Sequence, residues 1–219
     1  MELTQGILGN LENKYGGHAS WAVWNPDDLR DTEIISSNLH CLKTSVIMVG
    51  LNISASLPRH WSNFHGGRHD RKLMYAFNDS PYRGAYMTDI IKGEIEPKSE
   101  KLNERIQQGQ IDLQKHISTF RSEMDDLGVN KQALFILFGG DVKRLFANWL
   151  ASIYPNYAAC PHYSRRGTDA EWVEDSWVIL EERDATTRAS SNTLPFSRND
   201  SMRNQLQKLK HKQNRFSEL

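Results

Sequence analysis

The sequence predicts an α/β fold, in which a mainly parallel β-sheet has helices on both of its faces. The first observation behind this prediction is residues 45–52 (SVIMVGLN), an apolar run rich in β-branched residues, as expected of a strand buried on both sides. The second is that three further apolar runs follow along the chain. The third is that helical patterns separate these runs, and alternating strands and helices are typical of a parallel sheet.

The strands are predicted in chain order. Residues 45–52 form the central strand, and residues 84–93 (GAYMTDIIKG), bounded by glycines, form the next. The run 133–140 (ALFILFGG) ends in two glycines, and the fourth and weakest run is 156–164 (NYAACPHYS). These four segments predict a four-stranded sheet. The earlier segment 20–36 is aromatic-rich and interrupted by a proline, which predicts a strand or an irregular stretch.

The helices are predicted from apolar residues that recur every three or four positions. Residues 2–14 have this spacing and end before a pair of glycines, so a short helix opens the chain. Similar patterns predict helices over residues 68–79, over residues 99–128 with Gly128 as the C-terminal cap, and over residues 141–154. Each of the last three connects two consecutive strands, as the crossover helices of a parallel sheet do.

Composition predicts one α/β domain, residues 1–182, followed by a basic extension, residues 183–219. A chain of 219 residues needs only one core. Lys and Arg balance Asp and Glu at 27 each, but the extension alone carries eight Lys and Arg against three Asp and Glu. Its first part is rich in Ser, Thr and Asn, which predicts a linker, and its last part predicts a thin basic helix. The extension is therefore expected to be flexible or partly helical, either as an arm that attracts DNA or as a solvated terminus.

The composition also predicts the cellular setting. Cys41 and Cys160 are too few for a disulfide framework or a four-thiolate metal site. No apolar run reaches the ~20 residues that a membrane span needs, and the N-terminal residues lack the basic and then apolar pattern of an export signal. These features predict a reduced, cytoplasmic protein without a membrane partner.

Polar side chains follow each of the four predicted strands. In an open parallel sheet, ligands bind beyond the carboxyl ends of the strands, because the loops and helix N-termini meet there. The sequence therefore predicts one crevice at that edge of the sheet. The residues expected around it are Asn52, Thr88, Asp89, Lys92, Asp141, His162, Ser164 and Arg165.

Three segments resemble motifs of the uracil-DNA glycosylase superfamily, closest to its mismatch-specific and single-strand-selective branches. VGLNIS (49–54) stands where the family has a Gly-hydrophobic-Asn-Pro-Gly turn, and NFHGGRHDRKLMYAF (63–77) stands where it has a Phe-x-His-Pro segment. PHYSRRG (161–167) stands where it has a His-Pro-Ser-Pro or Asn-Pro-Ser-Gly loop, and the resemblance covers roughly residues 43–182. It implies a three-layer α/β/α domain whose four strands have the order 2-1-3-4, with no metal or other cofactor.

The resemblance implies a DNA-base glycosylase, which extrudes a nucleobase into a pocket and hydrolyses its N-glycosidic bond. By this resemblance, Asn52 positions the attacking water and His162 donates a hydrogen bond to the base as negative charge accumulates on it. Phe64 would stack on the extruded base, and Asn63 or Asp89 would read its edge. The expected partner is DNA, or else another nucleic acid or a free nucleobase or nucleotide.

The last loop of the resemblance implies contacts with phosphate. Ser164, Arg165 and Arg166 lie on it, and arginine suits phosphate because its guanidinium can donate two parallel hydrogen bonds. Lys92, just past the second strand, is a further candidate for the nucleic-acid backbone. A pair of arginines on a loop is also the ordinary composition of a solvated surface.

Each candidate residue also has a purely structural interpretation. Asn52 could close a turn by bonding its own backbone, as asparagine often does. Phe64 could be a core residue, and His162 could be satisfied within its loop. These interpretations stay open from the sequence.

One alternative function is a nucleic-acid binding module that keeps the crevice and lacks catalysis. Its motivation is that Ile53 and Ser54 replace the Pro-Gly of the catalytic turn, while Tyr163 and Arg165 replace prolines of the last loop.

The other alternative is a metal-dependent hydrolase. His60, His65, His69 and Asp70 are dense in the sequence, and three histidines could bind zinc and activate water. Against it, the glycine pair 66–67 disfavours a helix across these histidines, and no glutamate stands in the base position of an HExxH motif.

Overall fold

The computed structural model describes residues 3–188 and 198–217, with side chains for residues 3–186 and 198–211. Its elements confirm the predicted α/β class. In chain order they are α1 (Gln5–Tyr15), β1 (Ser20–Trp21), α2 (Glu33–Ser37), a 3₁₀ turn (Leu39–Cys41), β2 (Lys43–Gly50), α3 (Asp70–Phe77), β3 (Ala85–Asp89), α4 (Ser99–Gln107), α5 (Leu113–Asp126), β4 (Leu134–Phe138), α6 (Gly140–Trp149), β5 (Tyr157–Cys160), α7 (Asp169–Arg188) and α8 (Asp200–Ser217).

The sheet is mixed and has five strands in the order β1-β3-β2-β4-β5. The prediction of four strands is wrong, because Ser20 and Trp21 pair antiparallel with Met87 and Tyr86 of β3 and add an edge strand. Two residues are too few to show the alternation by which a strand is recognised in a sequence. The other four strands are parallel, and their order β3-β2-β4-β5 is the one expected for them.

Helices cover both faces of the sheet. Successive side chains of a strand point to opposite faces, so a strand that is apolar throughout packs against helices on both sides. On β2, Ile47 and Val49 belong to an apolar cluster that includes side chains from α1, α5 and α6. Val46 and Met48 belong to the opposite cluster, which includes side chains from α3, α7 and α8. β2 is therefore buried on both sides, as its apolar sequence predicted.

The segment 99–128 forms two helices, where the sequence pattern predicted one. A turn separates α4 from α5, and Gly109 in it has a φ of +70°, a conformation that interrupts a helix. The side chain of Asp112 then caps α5 by accepting a hydrogen bond from the Lys115 backbone N–H at 3.0 Å. At the other end Gly128 has a φ of +62° just after α5, which confirms its predicted place at a helix C-terminus.

The C-terminal extension begins within a helix, because the predicted boundary at residue 182 lies inside α7. Beyond it, α8 is anchored by the buried side chains of Met202, Leu206 and Leu209, which join the apolar cluster of α3 and α7. The middle of the predicted linker, residues 189–197, lies outside the described residues. Within residues 3–188 and 198–217, no helix combines the length and the apolar character needed to cross a membrane.

Candidate active site

A crevice of about 790 Å³ opens at the carboxyl ends of β2, β4 and β5. Most of its wall comes from the loop after β2, the start of α6 after β4, and the loop after β5, and Arg30 after β1 and Glu96 after β3 also line it. Asn52, Phe64 and His162, which come from distant parts of the sequence, all line it. The predicted convergence of these three residues is therefore observed in the structure.

Asn52 uses its amino group to fix a neighbouring loop. Its Nδ2 lies 2.9 Å from the Ile53 carbonyl oxygen, 3.0 Å from that of Glu94 and 2.9 Å from that of Glu96. Because all three partners are acceptors, the amide orientation is determined by chemistry. The carbonyl oxygen Oδ1 has no partner within the described part of the chain, so it is the atom that Asn52 can offer to a ligand.

Phe64 is held against β2 by an unusual backbone. Phe64 and Trp61 both have positive backbone φ values, 63° and 58°, which residues other than glycine rarely adopt. The Phe64 ring contacts Gly50, where an added Cβ would lie 3.2 Å from the ring and 2.2 Å from an oxygen of Asp89. The absence of a side chain at Gly50 thus lets the aromatic ring approach the strand at the base of the crevice.

Asn63 and Asp89 form a buried pair beside Phe64. Asn63 Nδ2 donates to Asp89 Oδ2 at 2.8 Å and to the His18 carbonyl oxygen at 2.9 Å. Burial raises the pKa of Asp89 to about 7, although the hydrogen bond from Asn63 and the charge of Lys92 act in the opposite direction. Asn63 lines the crevice, whereas Asp89 and Thr88 do not. The predicted role of Asp89 in reading a base is therefore replaced by a role in orienting Asn63.

Burial favours the neutral form of His162, whose ring carries one N–H. Its Nδ1 accepts a hydrogen bond from the Ser164 backbone N–H at 3.2 Å and lies 2.7 Å from Ser164 Oγ. The proton of the neutral ring is therefore on Nε2. Burial lowers the pKa of His162, and the neighbouring His69 lowers it further. Gly139, at the start of α6, has a φ of +100°, and a Cβ there would lie 3.2 Å from His162 Cβ, so glycine makes room for the imidazole.

Tyr163 brings an aromatic ring into the crevice where the resembling family has a proline. Its ring is stacked on that of His162 with centroids 4.6 Å apart, and it meets the Phe64 ring edge-on at 6.2 Å. A third ring, Phe138, meets it at 5.8 Å. The crevice therefore has an aromatic wall of several rings, where the sequence predicted a single stacking residue.

The predicted phosphate contacts have different outcomes. Ser164 and Arg165 line the crevice and are exposed, and the Arg165 guanidinium is in a salt bridge with Asp175. Arg166 is exposed beside them but does not line the crevice. Lys92 points into the protein, where its ammonium forms a salt bridge with the fully buried Glu123. The prediction that Lys92 contacts phosphate is therefore wrong, because its charge is needed inside the fold.

Asp70 is a crevice residue that the sequence assigned only to the alternative metal site. It begins α3 and is 7 % exposed, and its Oδ2 accepts a hydrogen bond from the Gly67 N–H at 2.8 Å. Burial raises the pKa of Asp70 to about 6, so its carboxylate is a stronger base than an exposed one. In the sequence, Asp70 stands at the start of an amphipathic helix. Acidic residues are common in the first turn of helices, so this position alone did not indicate a functional role.

Asp70 differs from the other two carboxylates of the crevice. Asp141 Oδ1 is in a salt bridge with Arg144, and Glu96 Oε1 accepts a hydrogen bond from the Lys98 N–H. Both are half-buried. Asp70 is therefore the crevice carboxylate best shielded from water.

Three arginines on the loops around the crevice were not indicated by the sequence. Arg30, Arg59 and Arg68 line the crevice, are exposed, and form no salt bridge with another described residue. They come from two loops with no shared motif, so the sequence contained no pattern that would group them. These three arginines give the rim a positive charge that suits an anionic ligand, whereas the charge of Arg165 is paired with Asp175.

The alternative metal site is not formed. The described residues contain no group of three or more His, Cys, Asp or Glu side chains arranged to hold a metal ion. His65 Nε2 lies 3.1 Å from the Trp21 carbonyl oxygen, burial lowers the pKa of His65 to about 4, and its ring is stacked on Trp24. His60 instead faces Glu12 on α1. His69 lines the crevice beside His162, so the three histidines are not grouped around one metal position.

Comparison with known proteins gives no match. No protein-family profile, no curated protein sequence and no solved structure is similar enough to this chain to assign it to a family.

Proposed function

We propose that this protein is a DNA-base glycosylase of the uracil-DNA glycosylase type, acting on an extruded nucleobase. The observation that carries the proposal is that Asn52, Phe64 and His162 line one crevice beyond the carboxyl ends of the parallel strands. The four parallel strands also have the order that the resemblance implies, β3-β2-β4-β5, and the antiparallel edge strand β1 is additional to it. A flat heterocycle suits an aromatic wall flanked by hydrogen-bonding groups, and the arginine rim suits phosphate.

Three crevice residues have proposed roles in hydrolysis of an N-glycosidic bond. Asn52 Oδ1 accepts a hydrogen bond from the attacking water, and the Asp70 carboxylate takes a proton from that water as its oxygen bonds to the sugar carbon. The bond between the sugar and the base breaks, and its electron pair leaves with the base. The Nε2–H of His162 stabilises the charge on the departing base, which afterwards takes up a proton. The products are a free base and an abasic sugar.

Stacking and positioning supply the rest of the proposed activity. The rings of Phe64 and Tyr163 would hold the extruded base, and stacking on an aromatic side chain contributes ~1–3 kcal/mol per base. Because this term is insensitive to base identity, selectivity has to come from polar groups in the crevice.

The experiment is a base-release assay with single-stranded and duplex oligonucleotides containing uracil, hypoxanthine or a mismatched thymine. We expect release of a free base from at least one of them, and Asn52→Ala is expected to lower the rate at saturating substrate at least ~100-fold. Asn10→Ala, an exposed position on α1, serves as the matched control. Thermal unfolding of each variant separates loss of activity from loss of fold. Unchanged base release by Asn52→Ala would refute the role of Asn52.

A nucleic-acid binding module without catalysis is the second candidate. The observation that favours it is Tyr163, whose ring contacts both Phe64 and His162 and occupies part of the aromatic wall. Binding of oligonucleotides without release of any base, in both the wild type and Tyr163→Ala, would support this candidate over the glycosylase. Release that appears only in Tyr163→Ala would identify the ring as the obstacle.

A further inference from the structure

Asn63 offers the crevice a single hydrogen-bond acceptor of fixed orientation. Its Nδ2 donates to the His18 carbonyl oxygen at 2.9 Å and to Asp89 Oδ2 at 2.8 Å. A carbonyl oxygen can only accept, so the amino group has to face His18. Asn63 Oδ1 has no hydrogen-bond partner within the described residues. It is also not one of the fully buried polar atoms that lack a partner there, so a ligand can reach it. Since Asn63 lines the crevice, Oδ1 is the polar atom it presents there.

The loop that carries Asn63 is fixed on both sides. The Trp61 N–H donates to the Gly16 carbonyl oxygen at 2.7 Å, and Ser20 Oγ donates to the Trp61 carbonyl oxygen at 2.7 Å. On the other side, Trp24 Nε1 donates to the Phe64 carbonyl oxygen at 3.0 Å. The acceptor is therefore held in place before any ligand arrives.

The Asn63 amide cannot turn over to suit a different ligand. Rotation by half a turn would bring Oδ1 against two acceptors and leave the amide without its hydrogen bonds, in a residue that is only 7 % exposed. This remains true when Asp89 is protonated, because the His18 carbonyl oxygen still requires a donor. The crevice thus shows the same acceptor to every base.

We propose that Asn63 makes the crevice select nucleobases with an exocyclic amino group, such as cytosine, adenine and their modified forms, over keto bases. An amino group donates to Oδ1, whereas a keto oxygen in its place would face another acceptor. The amino group of cytosine has a single acceptor beside it, the ring nitrogen N3. The N3–H of uracil can also donate to Oδ1, but keto oxygens flank it on both sides and repel that acceptor unless the asparagine also donates to one of them. The amino group of Asn63 is already engaged. This inference rests on the proposed function, because it assumes that the crevice binds a nucleobase.

Binding of three pyrimidines tests the inference separately from hydrolysis. Short single-stranded oligonucleotides carry one cytosine, one pyrimidin-2-one or one uracil among thymines. The sugar at this position is 2′-fluoroarabinose, because the fluorine slows loss of the base. Pyrimidin-2-one lacks the amino group of cytosine without adding a keto oxygen, so it isolates the contribution of the donor. Affinities are measured by competition against a labelled oligonucleotide, using fluorescence anisotropy.

We expect the wild type to bind the cytosine oligonucleotide about tenfold more tightly than the pyrimidin-2-one oligonucleotide, as for one hydrogen bond to a shielded acceptor. The uracil oligonucleotide should bind no better than the pyrimidin-2-one one. Asn63→Ala should bind all three equally, while Asn10→Ala keeps the wild-type order. If Asn63→Ala does not fold, the wild-type series alone decides.

The outcomes for this inference and for the glycosylase are distinguishable. Uracil bound as tightly as cytosine by the wild type, a preference that survives in Asn63→Ala, or no binding of any oligonucleotide would overturn the inference. Base release from uracil together with either of the first two results supports the glycosylase and rejects the amino preference, whereas no binding of any oligonucleotide counts against both. A cytosine preference without release of any base, including from the same cytosine oligonucleotide carrying ordinary 2′-deoxyribose, supports the preference and favours the binding module.

Discussion

Replacing Lys92 by methionine is expected to destabilise the fold without weakening nucleic-acid binding. The Lys92 side chain is 8 % exposed, and its ammonium is in a salt bridge with Glu123, which is fully buried. It also donates to Thr88 Oγ1 and lies 5.2 Å from the centre of the Phe120 ring. Methionine keeps the apolar stem of lysine and removes the charge, so the Glu123 carboxylate loses its counterion.

The size of the effect follows from what remains around Glu123. Tyr86 and Thr88 still donate their hydroxyl hydrogens to Glu123 Oε1, each at 2.8 Å. Removing one partner of a buried ion pair typically destabilises by 3–5 kcal/mol, and these two donors favour the lower end, about 3 kcal/mol. The double variant Lys92→Met with Glu123→Gln should recover most of this loss, because no uncompensated charge then remains.

Urea unfolding followed by tryptophan fluorescence measures the effect. With a slope of about 2–3 kcal/mol per molar urea, the midpoint should fall by about 1 M. Lys131→Met, at an exposed position, should shift the free energy of unfolding by less than ~0.5 kcal/mol. A loss below ~1 kcal/mol in Lys92→Met, or a double variant as unstable as the single one, would refute the reasoning. Weaker oligonucleotide binding by the folded variant would restore Lys92 as a phosphate contact.

Three further predictions concern the crevice. Gly50→Ala should lower the free energy of unfolding by about 1–3 kcal/mol in urea titrations and reduce base release, because its Cβ would meet Asp89 and Phe64; wild-type values for both would contradict this. Because the pKa of Asp70 is raised in the folded protein, protonation of Asp70 stabilises the folded state. This stabilisation is fully present below pH 3.8 and is lost as the pH rises through about 6. At neutral pH the free energy of unfolding of Asp70→Asn should therefore exceed that of the wild type by up to ~3 kcal/mol, measured by urea titration, and the variant should release base more slowly. A variant that is less stable than the wild type, or fully active, would count against this prediction. Arg68→Gln should reduce the slope of log affinity against log salt by about one, and an unchanged slope would remove Arg68 from the phosphate contacts.

Most of the sheet could be predicted from the sequence because three of the four parallel strands are apolar over four or more residues, and the fourth, β3, is apolar over its first three. β4 (LFILF) and β2 are buried on both faces, and such runs have few other interpretations. β1 could not be predicted, because its pairing with β3 depends on the fold as a whole and its two residues have no period. The break between α4 and α5 lay at a glycine that the apolar pattern alone did not mark.

The candidate site was predictable where it depended on chain topology and unpredictable where it depended on long-range pairing. Asn52 and His162 follow strand ends directly, so the edge of a parallel sheet brings them together. The burial of Lys92 depends on Glu123, 31 residues later on α5, and the orientation of Asn63 depends on the backbone of His18, 45 residues earlier. Nothing in the local sequence around Lys92 or Asn63 contains that information.

The docking of α8 means that the end of the chain packs against α3, the helix that begins at the crevice residue Asp70. Arg198 forms a salt bridge with Glu181 and its guanidinium lies over the Trp177 ring, while Asn199 donates to the Asp79 carbonyl oxygen just after α3. A chain shortened at residue 182 would leave the apolar faces of α3 and α7 open to solvent. Since α3 starts at Asp70, damage from such a truncation would reach the crevice without touching any of its residues.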